Sequence, residues 1–257
     1  MAINTVLDAR KTDMLNRVSE FLKHLTCVHS AILYGSWIYQ DGVDLDIAVI
    51  VESENGIIPI SVYHVLADAR QKLIEMTNTD VDLICHSDDE INDNRSPLWH
   101  PRYNPPLAFG VTIKGKFSIT SCSIKKVSFD YADICMYTLF DHRALCRRQM
   151  LRPFSQGSAE FVLGRFLHGP ANALVYHCCK HHMELLCSTS DVAKSFVFFD
   201  KYYSVDSEKV LSKLTKLIIL DMNTALPLMN WYEALVSLAR GVKRSREFYL
   251  TLCEQIL

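Results

Sequence analysis

The stretch LDIAVIVE at residues 45–52 is rich in isoleucine and valine with few interruptions, and such a run reads as a strand of a sheet. A second run, HSAILYGS at residues 29–36, reads the same way and stops at Gly-Ser. Residues 10–26 (RKTDMLNRVSEFLKHLT) place Met14, Val18, Phe21, Leu22 and Leu25 at helical spacing, with Thr12 or Asp13 available as a cap. Residues 60–77 (ISVYHVLADARQKLIEMT) return to that period, and DVDLICH at 80–86 alternates as a strand does. The expected order is helix, strand, strand, helix, strand. An α/β (α+β) module with a mixed sheet follows.

Between residues 86 and 110 the text shifts to Asp, Asn, Pro and single aromatics, a loop-rich crossing before a short strand at VTIKG. From about residue 127 the pattern is helical, with segments near 130–150, 158–168, 170–187, 191–203, 206–221 and 229–256. Gly169-Pro170, Ser204 and Pro227 separate them. The chain is thus expected to divide into an α/β module over 1–118 and an all-helical domain over 119–257. No internal repeat or low-complexity tract argues for a solenoid or a linker.

Composition narrows the class. At 257 residues and 49% hydrophobic content the chain buries a substantial core. No stretch approaches about 18–20 uninterrupted apolar residues, and MAINTVLDARKTDML lacks the basic flank and apolar run of a secretory signal, so a cytoplasmic protein without a membrane partner is expected. Nine cysteines, odd in number and scattered, read as reduced core thiols. Residues 1–118 carry 10 Lys/Arg against 16 Asp/Glu, and residues 119–257 carry 17 against 13, so an acidic half precedes a basic one. A net charge of -2 argues against an extended nucleic-acid surface.

The chemistry concentrates between Leu33 and Ile47. Gly35 follows a strand, where the missing Cβ lets backbone N–H groups approach a phosphate, and Ser36 adds a hydroxyl at the start of a helical turn. Asp44 and Asp46 stand two apart in a strand, so both carboxylates project from one face and suit a hard divalent cation, while Val43, Leu45 and Ile47 are expected to face the core. Without a cation, two acids on one face repel. A third acid belongs on a neighbouring strand. Asp82, between Val81 and Leu83, is an acid in an otherwise apolar run and is preferred to Asp80 at the strand entrance.

At these residues the chain resembles the nucleotidyltransferase superfamily that includes DNA polymerase beta, the minimal bacterial nucleotidyltransferases and the aminoglycoside nucleotidyltransferases. The match is to Gly-Ser, Asp-x-Asp and a later strand Asp over about the first 118 residues, and the helical second half is similar in layout to the kanamycin-type enzymes. The resemblance implies that Asp44 and Asp46 bridge a pair of Mg²⁺ ions, that Asp82 completes the second ion site and serves or positions the general base, and that Gly35 and Ser36 anchor the leaving phosphates. A nucleoside triphosphate, ATP as the expected one, then gives its monophosphate to a hydroxyl of a small molecule, protein or RNA and releases pyrophosphate. The intervening WIYQDGV is seven residues long and has no Lys or Arg, shorter and less basic than that family's usual loop. The alternative reading is a catalytically weakened binding or regulatory module acting through its helical domain.

Other features carry a sharp and an ordinary reading. Lys194 near a helix start reads either as a lysine reaching the phosphates or as a solvated one. His177-Cys178-Cys179-Lys180-His181-His182 has i, i+4 ligand spacing, yet no matching pair stands at finger spacing, so a mixed helix surface is the ordinary reading. Trp37 and Tyr39 read as packing residues, and Arg240, Lys243, Arg244 and Arg246 as a solvated helix face. A homodimer is left open.

Overall fold

The computed structural model describes residues 9–39, 42–93, 110–116, 143–152, 209, 212, 222–242 and 244–256. They fall into two compact units, one of Met1–Ser53 with Ser61–Lys126 and the other of Glu54–Ile60 with Val127–Leu257. In the first unit the elements run α1 (Ala9–Lys23), β1 (Val28–Tyr34), the short turn α2 (Ser36–Tyr39), β2 (Asp44–Val51), α3 (Ile60–Thr77), β3 (Asp80–Ser87), a 3-10 turn (Asp88–Asn92) and β4 (Val111–Lys114). The four strands form one mixed sheet in the order β3-β2-β1-β4. β1 runs antiparallel to β2 and β4, whereas β2 and β3 are parallel with α3 as their crossover. An α/β module with a mixed sheet is therefore what the chain forms.

β2 is central, and its sequence shows why. Leu45, Ile47, Val49 and Val51 on one face and Ala48 and Ile50 on the other are all buried, so only the strand's first turn of pleat leaves room for acids. Val43 departs from expectation. It is 86% exposed, because it precedes the first paired residue, Asp44, and has no sheet to lie against. Leu45 and Ile47 do face the core.

α1 buries Val18 and Leu22 one turn apart, as its spacing predicts. Ser19 donates to the Ile113 carbonyl at 2.6 Å, tying the helix to β4. Lys114 closes the helix C-terminus by donating to the carbonyls of Leu22 at 2.9 Å and Leu25 at 2.6 Å, where a cation suits the helix dipole. α3 buries Val62, Tyr63, Leu66, Ala69, Leu73 and Thr77 in a helical stripe. It stops at Asn78, whose φ of 51° is the left-handed conformation asparagine tolerates, and β3 begins two residues later.

In the second unit, Asn55 and Gly56 both have positive φ (55° and 84°), and Glu54 and Ile57 exchange backbone bonds across them. This is a type I′ hairpin turn on an Asn-Gly pair. Two further helices are α4 (Met222–Ala239) and α5 (Arg246–Ile256), with helical backbone also over 143–150. Pro227 lies inside α4 rather than before it, correcting the separation expected there. The break falls instead at Gly241, φ 95°, where Gly241 N–H donates to Leu238 and Val242 N–H to Ser237, the paired bonds of a glycine-terminated helix. The basic run is consequently not one helix face. Arg244 sits in the connection and donates to the Glu54 carbonyl at 2.9 Å, and Arg246 opens α5.

The interior of this unit holds an ion pair. Glu233 of α4 accepts from Arg147 at 2.7 Å, with side chains 0% and 1% exposed, and its other oxygen accepts from the Ile58 N–H at 2.6 Å. Ser237 adds a bond to the Asn55 carbonyl at 2.7 Å. No helix among the described residues is long and apolar enough to cross a membrane. Cys85 and Cys146 are buried and Cys27 is half-buried.

Candidate functional site

The register of the parallel pair sets four acids side by side. Asp44 is opposite Asp80 and Asp46 is opposite Asp82, all on one face of β2 and β3, on strands about 4.8 Å apart. Like charges directly opposite on neighbouring strands are destabilising. The two pairs are treated differently by their surroundings. Asp80, with 57% of its side chain exposed, bonds Arg70 of α3 at 2.7 Å, and Arg70 also donates to the Val81 carbonyl at 2.7 Å. Asp80 further accepts from its neighbour's N–H at Val81, 2.9 Å. That acid closes the entrance of β3. Asp82 is instead 3% exposed, flanked by the buried Val81 and Leu83.

Asp46 meets the Gly-Ser turn. Tyr34, the last residue of β1, is its antiparallel partner, so Gly35 begins beside it. Gly35 has φ 86°, and a Cβ there would fall on the Asp46 carboxylate. Two independent reasons thus require glycine at this position: the left-handed backbone and the carboxylate lying against it. Gly42 is required from the other side of the turn, since a Cβ on it would stand 2.5 Å from the Ser36 hydroxyl and 2.6 Å from the Trp37 nitrogen. Gly42 therefore packs closely against the turn at Ser36 and Trp37. Ser36 itself is exposed, Trp37 is buried as a packing residue, and Gly35, Asp44 and Asp46 are half-buried.

The structure brings Gly35 to Asp46 and Asp46 to Asp82, and it places Asp44 one pleat away. Among the described residues, no group of three or more His, Cys, Asp or Glu side chains converges as a metal-holding cluster. The donor set is all carboxylate oxygen, which in kind fits a hard divalent cation such as Mg²⁺. Lys194 and the whole of His177 to His182 lie outside the described residues. Sequence reasoning missed Gly42 as a packing element and missed Lys11, whose ammonium donates to the Trp37 carbonyl at 3.0 Å. A loop without its own cation was the available signal for the lysine.

A separate buried polar group lies at the far end of β3. His86 Nδ1 is 2.9 Å from Glu90, and Ser87 donates to the other Glu90 oxygen at 3.0 Å. His86 and Ser87 both meet Glu90 rather than each other, which is the geometry of a strand-end anchor and not of a nucleophile with its base. Compared with known families, curated proteins and solved structures, the chain finds no match.

Proposed function

We propose that this chain is a Mg²⁺-dependent nucleotidyltransferase of the polymerase-beta type, with ATP as the expected donor and a hydroxyl of a small molecule, protein or RNA as acceptor. The observation that carries the reading is the apposition of the Gly35 turn with Asp46, whose register partner is the buried Asp82. A glycine turn able to face a phosphate and a carboxylate pair able to hold a divalent cation, on the same sheet end, are the parts a metal-assisted phosphate site needs. The same reading gives acceptor selection to the helical domain over 119–257.

Mg²⁺ held by Asp44, Asp46 and Asp82 would neutralise charge on the phosphates and acidify the attacking hydroxyl. The chain's own groups do the rest. In this reading the turn after β1 takes the phosphate through its backbone N–H groups, and the exposed Ser36 hydroxyl donates to it. The acceptor oxygen bonds to the α-phosphorus, the bond to pyrophosphate breaks in line, and the hydroxyl proton passes to the Asp82 carboxylate. Asp82 suits that task because Val81 and Leu83 pin its backbone in the core.

Asp82→Asn is expected to lower transfer of α-labelled phosphate by about 10²-fold or more, the range of a general base, while nucleotide binding survives. Asp80→Asn stays within roughly tenfold, since Asp80 is committed to Arg70. The reverse pattern moves the base to Asp80 and shifts the working register by two.

A second reading, a docking module that binds without turnover, draws on one observation: the acids do not converge as a trio among the described residues. Magnesium-dependent nucleotide binding separates the two, because a pure docking module has no use for it.

A further inference from the structure

The turn α2 has only four residues, Ser36–Tyr39, and a lone helical turn does not sustain itself, because nucleation fixes several dihedrals for one hydrogen bond. Something outside it must hold it. Lys11 of α1, 26 positions away, donates from its ammonium to the Trp37 carbonyl at 3.0 Å. The same nitrogen lies 5.3 Å from the centroid of the Trp37 ring, within cation–π range. Trp37 is buried, so the indole is a fixed platform, and Lys11 is half-buried above it. The carbonyl side of the turn is thus braced by a cation, while Gly42 closes on its Ser36 and Trp37 nitrogen side.

The charge matters as well as the bond. Between Ser36 and Asp44 the chain has no Lys or Arg, and the neighbouring strands offer Asp44, Asp46 and Asp82. A triphosphate approaching this sheet end meets acids first. α1 brings to the turn the positive charge its own loop lacks.

We infer that Lys11 is a positioning residue of the nucleotide site: it holds the Gly35-Ser36 turn in the conformation that receives phosphate. The inference rests on the nucleotidyltransferase reading and adds a residue to it. Lys11 acts through Trp37 and is not placed on the reacting atoms.

The test compares wild type, Lys11→Met and Lys11→Arg in the full chain, by steady-state transfer from Mg-ATP and by amide hydrogen exchange resolved over residues 36–39. Methionine keeps an unbranched apolar stem and removes donor and charge; arginine restores both. The expected result for Lys11→Met is a KM for Mg-ATP raised about tenfold with kcat within about threefold, together with faster exchange confined to the turn, and near wild-type values for Lys11→Arg. Unchanged exchange and KM overturn the inference. Faster exchange spread evenly through α1 and the sheet also overturns it, marking a scaffold lysine. A wild-type protein that neither binds nor turns over Mg-ATP instead defeats the functional reading, and exchange changes in Lys11→Met then assign only a structural brace.

Discussion

Asp46→Asn is expected to lower nucleotidyl transfer by at least about 10³-fold, roughly 4 kcal/mol of transition-state stabilisation, while the protein stays folded. Asp46 is the residue on which the site's parts meet: Gly35 lies against its carboxylate, Tyr34 is its partner on β1 and Asp82 its partner on β3. Asparagine matches its shape, so packing is kept, but it removes one unit of charge from the proposed cation site. Opposed carboxylates destabilise a strand pair, so thermal unfolding of the metal-free variant should occur no lower than in wild type. Gly35→Ala approaches the same carboxylate from the backbone. It meets the left-handed cost of about 1–2 kcal/mol and pushes the carboxylate aside, so transfer falls there too. Assay of transfer alongside calorimetric melting checks both effects. Transfer within about tenfold of wild type in Asp46→Asn would remove it from the metal site.

Glu233→Ala is expected to destabilise the second unit by about 3–5 kcal/mol, the range for removing one partner of a buried ion pair. The carboxylate is fully buried between the Arg147 guanidinium and the Ile58 N–H. Alanine takes away both acceptors at once and opens a cavity beneath α4. Glu233→Gln, which keeps the shape and one carbonyl oxygen, should cost less than alanine. Chemical denaturation of the three proteins measures this, and a loss below about 1 kcal/mol for alanine would mean that the pair is solvated in solution. Because Ile58 and Asn55 belong to the hairpin between β2 and α3, the same variant should loosen that hairpin first.

The sequence shows most of the sheet unit because its signals are local. α3 spans 60–77, as its apolar spacing predicts, and β3 and β4 lie where alternation and the VTIKG run put them. Asp44 and Asp46 are visible as acids in an apolar strand, and Asp82 likewise. Long-range pairing is what the text hides. That Asp46 stands opposite Asp82 is a matter of register, which a shift of two would redirect to Asp80 without changing any local pattern. Lys11 is 26 residues from the turn it braces, so no motif links them. The Asn55-Gly56 turn carries a readable hairpin signature, whereas the grouping of Glu54–Ile60 with the second unit depends on Glu233 and Ser237, far along the chain. Pro227 misled because proline is a strong helix breaker on average, yet α4 runs through it and yields only at Gly241. Val43 misled because the alternation of β2 does not reach back to the residue before its first paired position, Asp44.

The central claim is that the Gly35 turn and the strand acids form a magnesium-dependent nucleotidyl-transfer site. Its most direct test is incubation of the wild-type protein with each α-labelled nucleoside triphosphate in turn, with cell extract as the source of acceptor, in Mg²⁺ and in excess chelator. The account predicts that label moves onto an acceptor with one preferred nucleotide, only when Mg²⁺ is present. Label that reaches no acceptor from any nucleotide in Mg²⁺, or that transfers equally in chelator, would contradict it.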